Sequence, residues 1–579
     1  MATVDEIFKK PALPSKRKLD VSHDPSQYYK SAKTTNGDVK SQNAAIEDEE
    51  MDEAGPAAPP DEEEEGDDDE EGRFFGGGID EGTSAALDFL DERDKEETFV
   101  EEKYDIPWCR KLSLNFEKRI SRNAELRAKY EDDPSKFMAS EADLDADIKT
   151  LSILSEHPEL YPEFAKLGCV TSLVSLLAHE NADIAIDAIE IIAELIDEDV
   201  AAEPEQWDAV VSAALDADLL DLLVSNFGRF DESQEADRSG VYNSLSILES
   251  LASQPTLAST IGQSPKILEW LLNRIKVLES PLRQNKQYAA EILAILVQTS
   301  TENRSALTKL DGVDTLLQLL APYRRRDPPK DSEEEEYVEN IFDALACLVD
   351  ESTGKEEFVK AEGVELCLIM LREGKMSRPR ALTLLDHAVS GAAGISVCEK
   401  LVEAQGLKTI FGMFMKKIDK EMAEHILGIF AALLRNLPGE SAERIRVLAK
   451  FVEKDYAKLE KIVTLRRDYT ARVSAVDAQI KLERKALSKE DQADSEAEFF
   501  SRRLDAGLYC LQTIDVVLAW LVAEDDGARK KVIKLMGDRD EGLADIKKTL
   551  QEQVQGITDD NDEAKASKDM LSTLVEFLS

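Results

Sequence analysis

A helical hairpin that recurs along the chain constrains the fold more than any other feature of the sequence. Residues 339–371 read ENIFDALACLVDESTGKEEFVKAEGVELCLIML, with apolar residues at helical spacing on both sides of Gly363. This pattern predicts two helices with a tight joint at the glycine. Such a hairpin has too much apolar surface to fold alone, so it needs a similar neighbour on each side.

The neighbours are present. Residues 289–320 and 398–415 carry the same pattern. The joint-like positions along the chain are, in order, Gly168, Asp218, Gly262, Gly312, Gly363 and Gly406. Their spacings are 50, 44, 50, 51 and 43 residues, and a period of about 40 to 50 residues with two or three helices is typical of HEAT and armadillo repeats. The sequence therefore predicts an all-α, armadillo/HEAT-type superhelical solenoid, in which each repeat is stabilised by stacking on its neighbours.

The chain divides into four predicted regions. Residues 1–80 form a disordered tail, 81–150 an N-terminal helical cap, 151–438 the armadillo-repeat solenoid, and 439–579 a C-terminal helical cap. In the last region, residues 443–487 and 499–522 each have the pattern of one long helix. We expect these two helices to pair antiparallel and close that end of the solenoid.

The predicted tail contains two segments of opposite charge. Residues 47–71 hold sixteen Asp or Glu in twenty-five residues and no Lys or Arg, which predicts disorder. The simple interpretation is a solvating tail, and the alternative is a competitor that masks a basic surface. Upstream, Lys16, Arg17 and Lys18 follow two prolines that favour an extended chain. These three residues form a candidate nuclear localisation signal.

Composition excludes several classes of function. The formal net charge is −48, which argues against general binding to nucleic-acid phosphate and favours basic protein partners. No run of 18 apolar residues or signal-peptide core occurs, so neither a membrane span nor secretion is expected. The six cysteines form no C-x-x-C pair and are interpreted as reduced thiols of an intracellular protein.

No catalytic or metal-ligand constellation is found among the five histidines. Asp386 and His387 are adjacent in sequence, so on a helix they point about 100° apart and do not form a base–orienter pair. No nucleotide, zinc-protease or nucleophile-elbow motif is present. We therefore expect no enzyme activity, cofactor or metal.

A candidate partner-binding site comes from aligning the joints. Glu269, Asp314 and Glu365 then occupy one position in three successive repeats, and Lys408 follows in the next. A row of carboxylates can bind alternate basic residues of an extended peptide, with Trp270 as an aromatic wall. The alternative is that acids favour the first turn of any helix and that Trp270 belongs to the core.

Several segments resemble one family, that of beta-catenin-like protein 1. The matching segments are Asn115–Arg119, Asn123, Glu125–Arg127, Asp133–Met138, Ser140–Glu141, Glu291–Leu296, Glu302–Arg304, Leu385–Ala388, Thr409–Phe411, Ala432–Leu437 and Arg502–Leu508. The resemblance covers roughly residues 112–579, and the last motif is the most specific because armadillo proteins in general lack it.

This resemblance implies a nuclear armadillo scaffold of the pre-mRNA splicing machinery. Its members join the spliceosomal Prp-nineteen complex by binding basic, localisation-signal-like segments, notably those of the Myb-domain CDC-five-like subunit. Vertebrate members also bind a cytidine deaminase, and a homodimer is compatible with the sequence. Two other functions stay open, a nuclear import adaptor and a regulatory subunit of an enzyme. The import adaptor is disfavoured because only four tryptophans are present, too few for the regular Trp/Asn ladder of such proteins.

Overall fold

The computed structural model describes residues 103–488, 491–492, 495–558 and 562–578. The predicted tail, including the acidic run and the cluster Lys16, Arg17 and Lys18, lies outside these residues. Within the described ranges the regular secondary structure is helical and no strand occurs. The predicted all-α fold class is therefore confirmed.

The helices follow one another with short connections. In chain order they are α1 Ile106–Lys129, α2 Met138–Thr150, α3 Tyr161–Lys166, α4 Cys169–Ser175, α5 Ala182–Ile196, α6 Pro204–Asp216, α7 Leu219–Phe227, α8 Glu235–Ala252, α9 Pro255–Gln263, α10 Pro265–Lys276, α11 Gln284–Thr299, α12 Thr301–Lys309, α13 Gly312–Leu320, α14 Glu333–Leu348, α15 Ser352–Lys360, α16 Gly363–Glu373, α17 Ser377–Val389, α18 Ile395–Glu403, α19 Gly406–Phe414, α20 Lys420–Asn436, α21 Ala442–Ala486, α22 Glu496–Asp505, α23 Leu508–Glu524, α24 Asp526–Gly537, α25 Leu543–Gly556 and α26 Asp562–Phe577.

Helices α3–α20 form six three-helix repeats. The first two helices of each repeat meet at a joint, and a third helix returns beside them. The third helices are α5, α8, α11, α14, α17 and α20. Each third helix packs on the third helix of the next repeat, and one continuous apolar core runs through the stack. This is the predicted armadillo-type solenoid, in which repeats bury their apolar faces against each other.

The joints work differently from the sequence prediction. At three of them the left-handed residue is the one before the glycine: Asp311, Glu362 and Gln405 have φ of 62°, 58° and 61°. The glycine is required by packing instead, because a Cβ on Gly363 would lie 2.3 Å from the ring of Phe358. At these three joints glycine is therefore selected by the close approach of the first helix rather than by the turn itself. At Gly168 the glycine is itself left-handed, with a φ of 81°, as a turn at glycine predicts.

The joint predicted at Gly262 is wrong. Gly262 lies inside α9, and the chain turns after it at Ser264 and Pro265. A Cβ on Gly262 would lie 1.8 Å from Oδ1 of Asn303, whose amide Nδ2 donates to the carbonyl of Ala258. This glycine therefore makes room for a polar contact between two first helices.

The two ends of the repeat stack are covered by non-repeating helices. Helices α1 and α2 pack on each other, and α2 packs on α5 of the first repeat. At the other end α21 and α23 pack on α20. The division of the chain at residues 80, 150 and 438 stays a prediction.

The predicted single helix over 499–522 is wrong. The chain breaks between α22 and α23 at Gly507, which has a left-handed φ of 97°. Helix α21 is also interrupted, because Glu453 is extended and Lys454, Asp455 and Tyr456 are all left-handed. Helices α21 and α23 nevertheless pack together, as expected for the two elements that close this end.

Among the described residues no single helix is both long and apolar enough to cross a membrane. Two bent helix pairs reach that length and composition only jointly, namely Ser377–Val389 with Ala392–Glu403, and Glu496–Asp505 with Leu508–Glu524.

Candidate functional site

The three predicted carboxylates occupy one equivalent position in the structure. Glu269, Asp314 and Glu365 lie near the start of the second helices α10, α13 and α16. Counted along the sequence from each acid, the residues at positions −2, −1, +2, +3 and +6 are buried. The three helices therefore share one register. We call this set, Glu269, Asp314 and Glu365, the second-helix row.

Two members of the second-helix row have partners within the fold. The Gln318 amide Nε2 donates to Asp314 at 2.6 Å. Lys400, on the first helix of the next repeat, forms an ion pair with Glu365 at 2.8 Å. Glu269 is exposed. A ligand would therefore have to displace neighbours at two of the three positions, and the role of this row in binding stays a prediction.

Trp270 contacts a neighbouring repeat. Its ring stacks on Phe227 with centroids 3.8 Å apart and an angle of 13° between the planes. Trp270 is half-buried and joins the second helices α7 and α10. The contact is typical of packing between repeats, and a role as a wall for a ligand stays a prediction.

Sequence reasoning missed one member of this row. Asp221 follows the left-handed Asp218 by three residues, as Asp314 follows Asp311, and it is exposed in the first turn of α7. The joints recognised in the sequence, Gly312 and Gly363, precede their acids by two residues, and two residues after Asp218 stands Leu220. Asp221 falls in the row only when positions are counted from the left-handed residues, which the structure reveals.

The third helices form a separate layer. Successive third helices pack on each other more extensively than successive second helices do. In a curved stack the layer with the closer contacts lies on the inside of the curve, where extended ligands of solenoids bind. The third helices are therefore the better candidate for a groove than the second helices, on which the predicted residues lie.

Partly exposed carboxylates recur on this inner layer. The buried pairs Leu195–Ile196, Leu251–Ala252, Leu296–Val297 and Leu348–Val349 fix the register of four successive third helices. Five residues before the first member of each pair stand Glu190, Ser246, Glu291 and Asp343, all partly exposed. We define the third-helix face as Glu190, Glu194, Tyr242, Asn243, Glu249, Glu291, Glu339, Asn340 and Asp343.

Aromatic and amide side chains accompany these carboxylates. The hydroxyl of Tyr288 donates to Oε2 of Glu249. The rings of Tyr242 and Tyr288 lie 5.1 Å apart, and the amide of Gln287 donates to Glu291 at 2.9 Å. Carboxylates beside aromatic rings are chemically suited to lysine and arginine side chains, which bind through ion pairs and cation–π contacts.

A guanidinium of the chain itself occupies one end of this face. Arg380 on α17 donates to Glu339 at 2.6 Å and lies 3.9 Å from Asp343. Both carboxylates belong to the preceding third helix, α14. The geometry of the third-helix face therefore accommodates an arginine between two carboxylates.

Beyond Arg380 the inner layer is covered by the C-terminal cap. Helix α23 packs on α20. Burial, and then the charges of the nearby Asp386 and Glu424, raise the pKa of Tyr509. His425 contacts the Thr383 hydroxyl and Asp386 at 3.0 Å each. The third-helix face that the C-terminal cap leaves uncovered therefore extends over α5, α8, α11 and α14, and Arg380 is paired with the two carboxylates of α14.

The described residues contain no cluster of three or more His, Cys, Asp or Glu that could hold a metal ion. Cys109, Cys169, Cys367, Cys398 and Cys510 are buried. Burial raises the pKa of Cys367 and Cys398 to about 12, which keeps both as unreactive thiols at neutral pH.

Comparisons with known proteins agree with the resemblance found in the sequence. The model of a family described as "Catenin-beta-like, Arm-motif containing nuclear" matches residues 84–551. The "Beta-catenin-like protein 1 homolog" of Schizosaccharomyces pombe is 38% identical over 496 residues, which cover 85% of this chain and 86% of the relative. "Beta-catenin-like protein 1" of Homo sapiens is 38% identical over 464 residues, covering 78% of this chain and 82% of that protein.

A solved structure of a designed armadillo repeat protein also aligns, with 14% identity and a TM-score of 0.35 over 46% of this chain and 99% of that one. A TM-score this low supports no conclusion about this chain. The family model and the relatives each extend over more than three quarters of the sequence, and the helix repeats agree with them. The chain belongs to the beta-catenin-like family of nuclear armadillo-motif proteins.

Proposed function

We propose that this protein is a non-enzymatic nuclear scaffold of the pre-mRNA splicing machinery that binds basic, localisation-signal-like segments of its partners on the third-helix face. The partners that we propose are proteins of the Prp-nineteen complex, notably the Myb-domain CDC-five-like subunit. The observation that carries the proposal is the recurrence of Glu190, Glu291 and Asp343 at one register of an inner layer.

The chemistry of this face supports a basic ligand. An extended peptide repeats its side chains every two residues, and a solenoid presents similar positions at each repeat, so one peptide can contact several repeats. The ion pairs of Arg380 with Glu339 and Asp343 show that an arginine side chain fits between these carboxylates. The net charge of −48 adds a long-range attraction for basic partners.

A binding experiment with two matched variants tests the site. The probe is a fluorescent peptide with the sequence of residues 9–18, KKPALPSKRK, and its control has every Lys and Arg replaced by Ala. One variant combines Glu190→Gln, Glu291→Gln and Asp343→Asn. The other combines Glu269→Gln, Asp314→Asn and Glu365→Gln, and removes the same number of charges from the second-helix row.

We expect the third-helix variant to bind the basic peptide at least tenfold more weakly than the natural chain, because each charge-assisted hydrogen bond contributes about 1.5–3 kcal/mol. The second-helix variant should lose much less. Loss only in the second-helix variant would instead identify that row as the site. Equal losses would mean that only net charge matters, and no binding by the natural chain would contradict the proposed activity.

The splicing role is tested separately. The tagged chain is purified from nuclear extract with and without nuclease, and the bound proteins are identified by mass spectrometry. Recovery of Prp-nineteen-complex subunits under both conditions supports a protein-bound splicing scaffold. Recovery of import carriers with mixed cargo would favour an import adaptor and contradict the splicing role.

A further inference from the structure

Arg380 occupies a position that recurs in every third helix. The buried pairs Ala388–Val389 and Leu433–Leu434 extend the register of the third helices to α17 and α20. Counted back eight residues from the first member of each buried pair, the six third helices carry Asp187, Asn243, Tyr288, Asn340, Arg380 and His425. Arg380 is the only Lys or Arg among these six residues, all of which the structure describes. It therefore places a permanent positive charge at a position that is neutral, acidic or titratable in the other repeats.

Side chains at this position contact carboxylates of the preceding third helix. The hydroxyl of Tyr288 on α11 donates to Glu249 of α8. A ring nitrogen of His425 on α20 lies 3.0 Å from Asp386 of α17. The position thus joins neighbouring repeats across the inner layer, and the residue found there determines whether the carboxylates behind it have a cation of the chain itself as their partner.

The guanidinium of Arg380 lies among carboxylates of both neighbouring third helices. It donates to Glu339 at 2.6 Å and lies 3.9 Å from Asp343, both on α14. The carboxylate of Glu421, at the start of α20, also attracts it. Arg380 therefore makes with the chain's own acids the contacts that the arginine of a basic ligand would make.

Exposure separates this ion pair from those that hold the core together. The side chains of Arg380, Glu339 and Asp343 are 37%, 39% and 35% exposed. Those of the buried pair Arg466 and Asp515 are 4% and 0% exposed. An exposed ion pair contributes little to stability, so the Arg380 pair can open without disturbing the fold, and a ligand can reach its carboxylates from solvent.

We propose that Arg380 is an internal occupant of an arginine subsite formed by Glu339 and Asp343, and that it limits how far a basic segment extends along the third-helix face. The inference rests on the proposed function, in which Asp343 shares its register with Glu190 and Glu291. A ligand arginine reaches this subsite only when Arg380 moves away. The apparent affinity at the subsite is therefore reduced by the fraction of molecules in which the internal pair is open.

The consequence is a selection for length. A basic segment gains affinity from each arginine that it places over α5, α8 and α11, whereas the next arginine must displace Arg380 and gains less. The alternative is that Arg380 only joins α17 to α14. That structural role predicts a change in stability when Arg380 is removed, and no dependence of binding on the length of the ligand.

A series of peptides tests the selection on the full chain. The probes are fluorescent peptides of alternating Arg and Ala with three, four, five or six arginines, and binding is followed by anisotropy. Arg380→Ala should bind the longest peptide about three- to tenfold more tightly than the natural chain and change the shortest by less than about twofold. Lys375→Ala is the matched control, because it removes one exposed positive charge just before the same helix. It should change no affinity by more than about twofold.

Two further variants test the mechanism. Combining Arg380→Ala with Glu339→Gln and Asp343→Asn should abolish the gain, because the subsite itself is then removed. Arg380→Gln loses the charge and keeps a hydrogen-bonding side chain, so it should show the same dependence on length even if urea unfolding finds Arg380→Ala unstable.

The possible failures are distinguishable. A gain that is equal for all peptide lengths, or that Lys375→Ala reproduces, would mean that only net charge matters and would overturn the proposal. Binding by the natural chain that Arg380→Ala and Arg380→Gln leave unchanged would overturn it too, and would leave the proposed function intact. If the natural chain bound no peptide of the series, the proposed function would itself be contradicted.

Discussion

Gly507 lies so close to Tyr469 that a Cβ on the glycine would be 2.4 Å from Cδ1 of the ring. Gly507 also has a φ of 97°, which side chains other than glycine rarely adopt. Both constraints act at the break between α22 and α23, where the chain enters the buried helix of the C-terminal cap. The motif Arg502–Leu508, the most specific sequence signal of the family, therefore marks a joint that only glycine fits.

Gly507→Ala should destabilise the C-terminal cap by about 2–5 kcal/mol, because overpacking and left-handed strain act together. Gly537→Ala is a suitable control, since nothing lies within 4 Å of its Cβ position. The measurement is urea unfolding followed by circular dichroism. Tyr469→Ala is itself destabilising because the ring is buried. In a double-mutant cycle the two changes together should cost less than the sum of the single losses, and additive losses would contradict the steric explanation.

The repeat architecture could be predicted because its signal is local and recurs. Apolar residues at helical spacing and one small residue per period identify the helices around Gly312, Gly363 and Gly406. The same signal failed at Gly262, where glycine serves a contact with Asn303 from another repeat. It also failed at Gly507, because an apolar run continues across the break.

The candidate binding face was harder to predict than the fold. Periodicity identifies buried positions, and the partly exposed Glu291 and Asp343 carry no comparable signal. Glu269, Asp314 and Glu365 do fall in one row. The joints at Gly312 and Gly363 gave the register of two of these second helices, whereas Glu269 lies in the row although the joint predicted at Gly262 is wrong. The choice between the two layers depends on how closely the helices stack, and that information is absent from the sequence.

At the joint of Gly363, substitutions at two adjacent residues should change the free energy of unfolding in opposite directions. Gly363→Ala should destabilise by about 1–3 kcal/mol, because the new methyl group would meet the ring of Phe358. Glu362→Gly should be neutral or stabilise by up to about 1 kcal/mol, because it relieves a φ of 58°. Urea unfolding of both variants measures the two changes, and a large loss in Glu362→Gly with none in Gly363→Ala would contradict this account of the joint.

Asp187 should make stability depend on pH near neutrality. Burial first, and then a hydrogen bond with Asp145, raise its pKa from the ordinary 3.8 to about 7. Between these values the folded state holds one more proton than the unfolded state. The free energy of unfolding contributed by this group therefore falls as pH rises from about 4 to 7, and the full penalty is present above pH 7.

Asp187→Asn imitates the protonated acid, so it should stabilise the protein by about 1–2 kcal/mol at pH 8 and change little at about pH 4. Thermal unfolding of the variant and the natural chain across this range tests the difference. Asp183→Asn, on the exposed first turn of the same helix, is the control and should show no comparable slope. If Asp187→Asn stabilised the protein equally at every pH, titration of Asp187 could not be the cause.

The localisation signal remains a sequence prediction. Changing Lys16, Arg17 and Lys18 to Ala should shift the protein out of the nucleus, because import receptors read extended basic peptides. Fluorescence microscopy of the tagged chain measures the ratio of nuclear to cytoplasmic signal. Changing Lys30, Lys33 and Lys40 instead removes three positive charges downstream, and this control should leave the ratio unchanged. Retention of the first variant in the nucleus would mean that another signal or a partner suffices for entry.

Arg466 and Asp515 form a buried ion pair between α21 and α23. Arg466 Nε lies 2.6 Å from Oδ1, Nη2 lies 3.1 Å from Oδ2, and the exposed fractions of the two side chains are 4% and 0%. Removing one partner leaves an uncompensated charge, so Arg466→Leu should cost about 3–5 kcal/mol. Replacing both by Leu should recover most of that stability, because apolar side chains avoid the desolvation of two ions.

Urea unfolding of the natural chain, the single variant and the double variant measures this coupling. Glu496→Gln, which breaks the exposed pair with Arg484, is the control and should cost less than about 1 kcal/mol. If the double variant were as unstable as the single one, the pair would be required for the packing of α21 on α23 itself. Recovery would instead show that the pair contributes no net stability beyond that of an apolar contact between α21 and α23, because the desolvation of the two ions offsets their attraction.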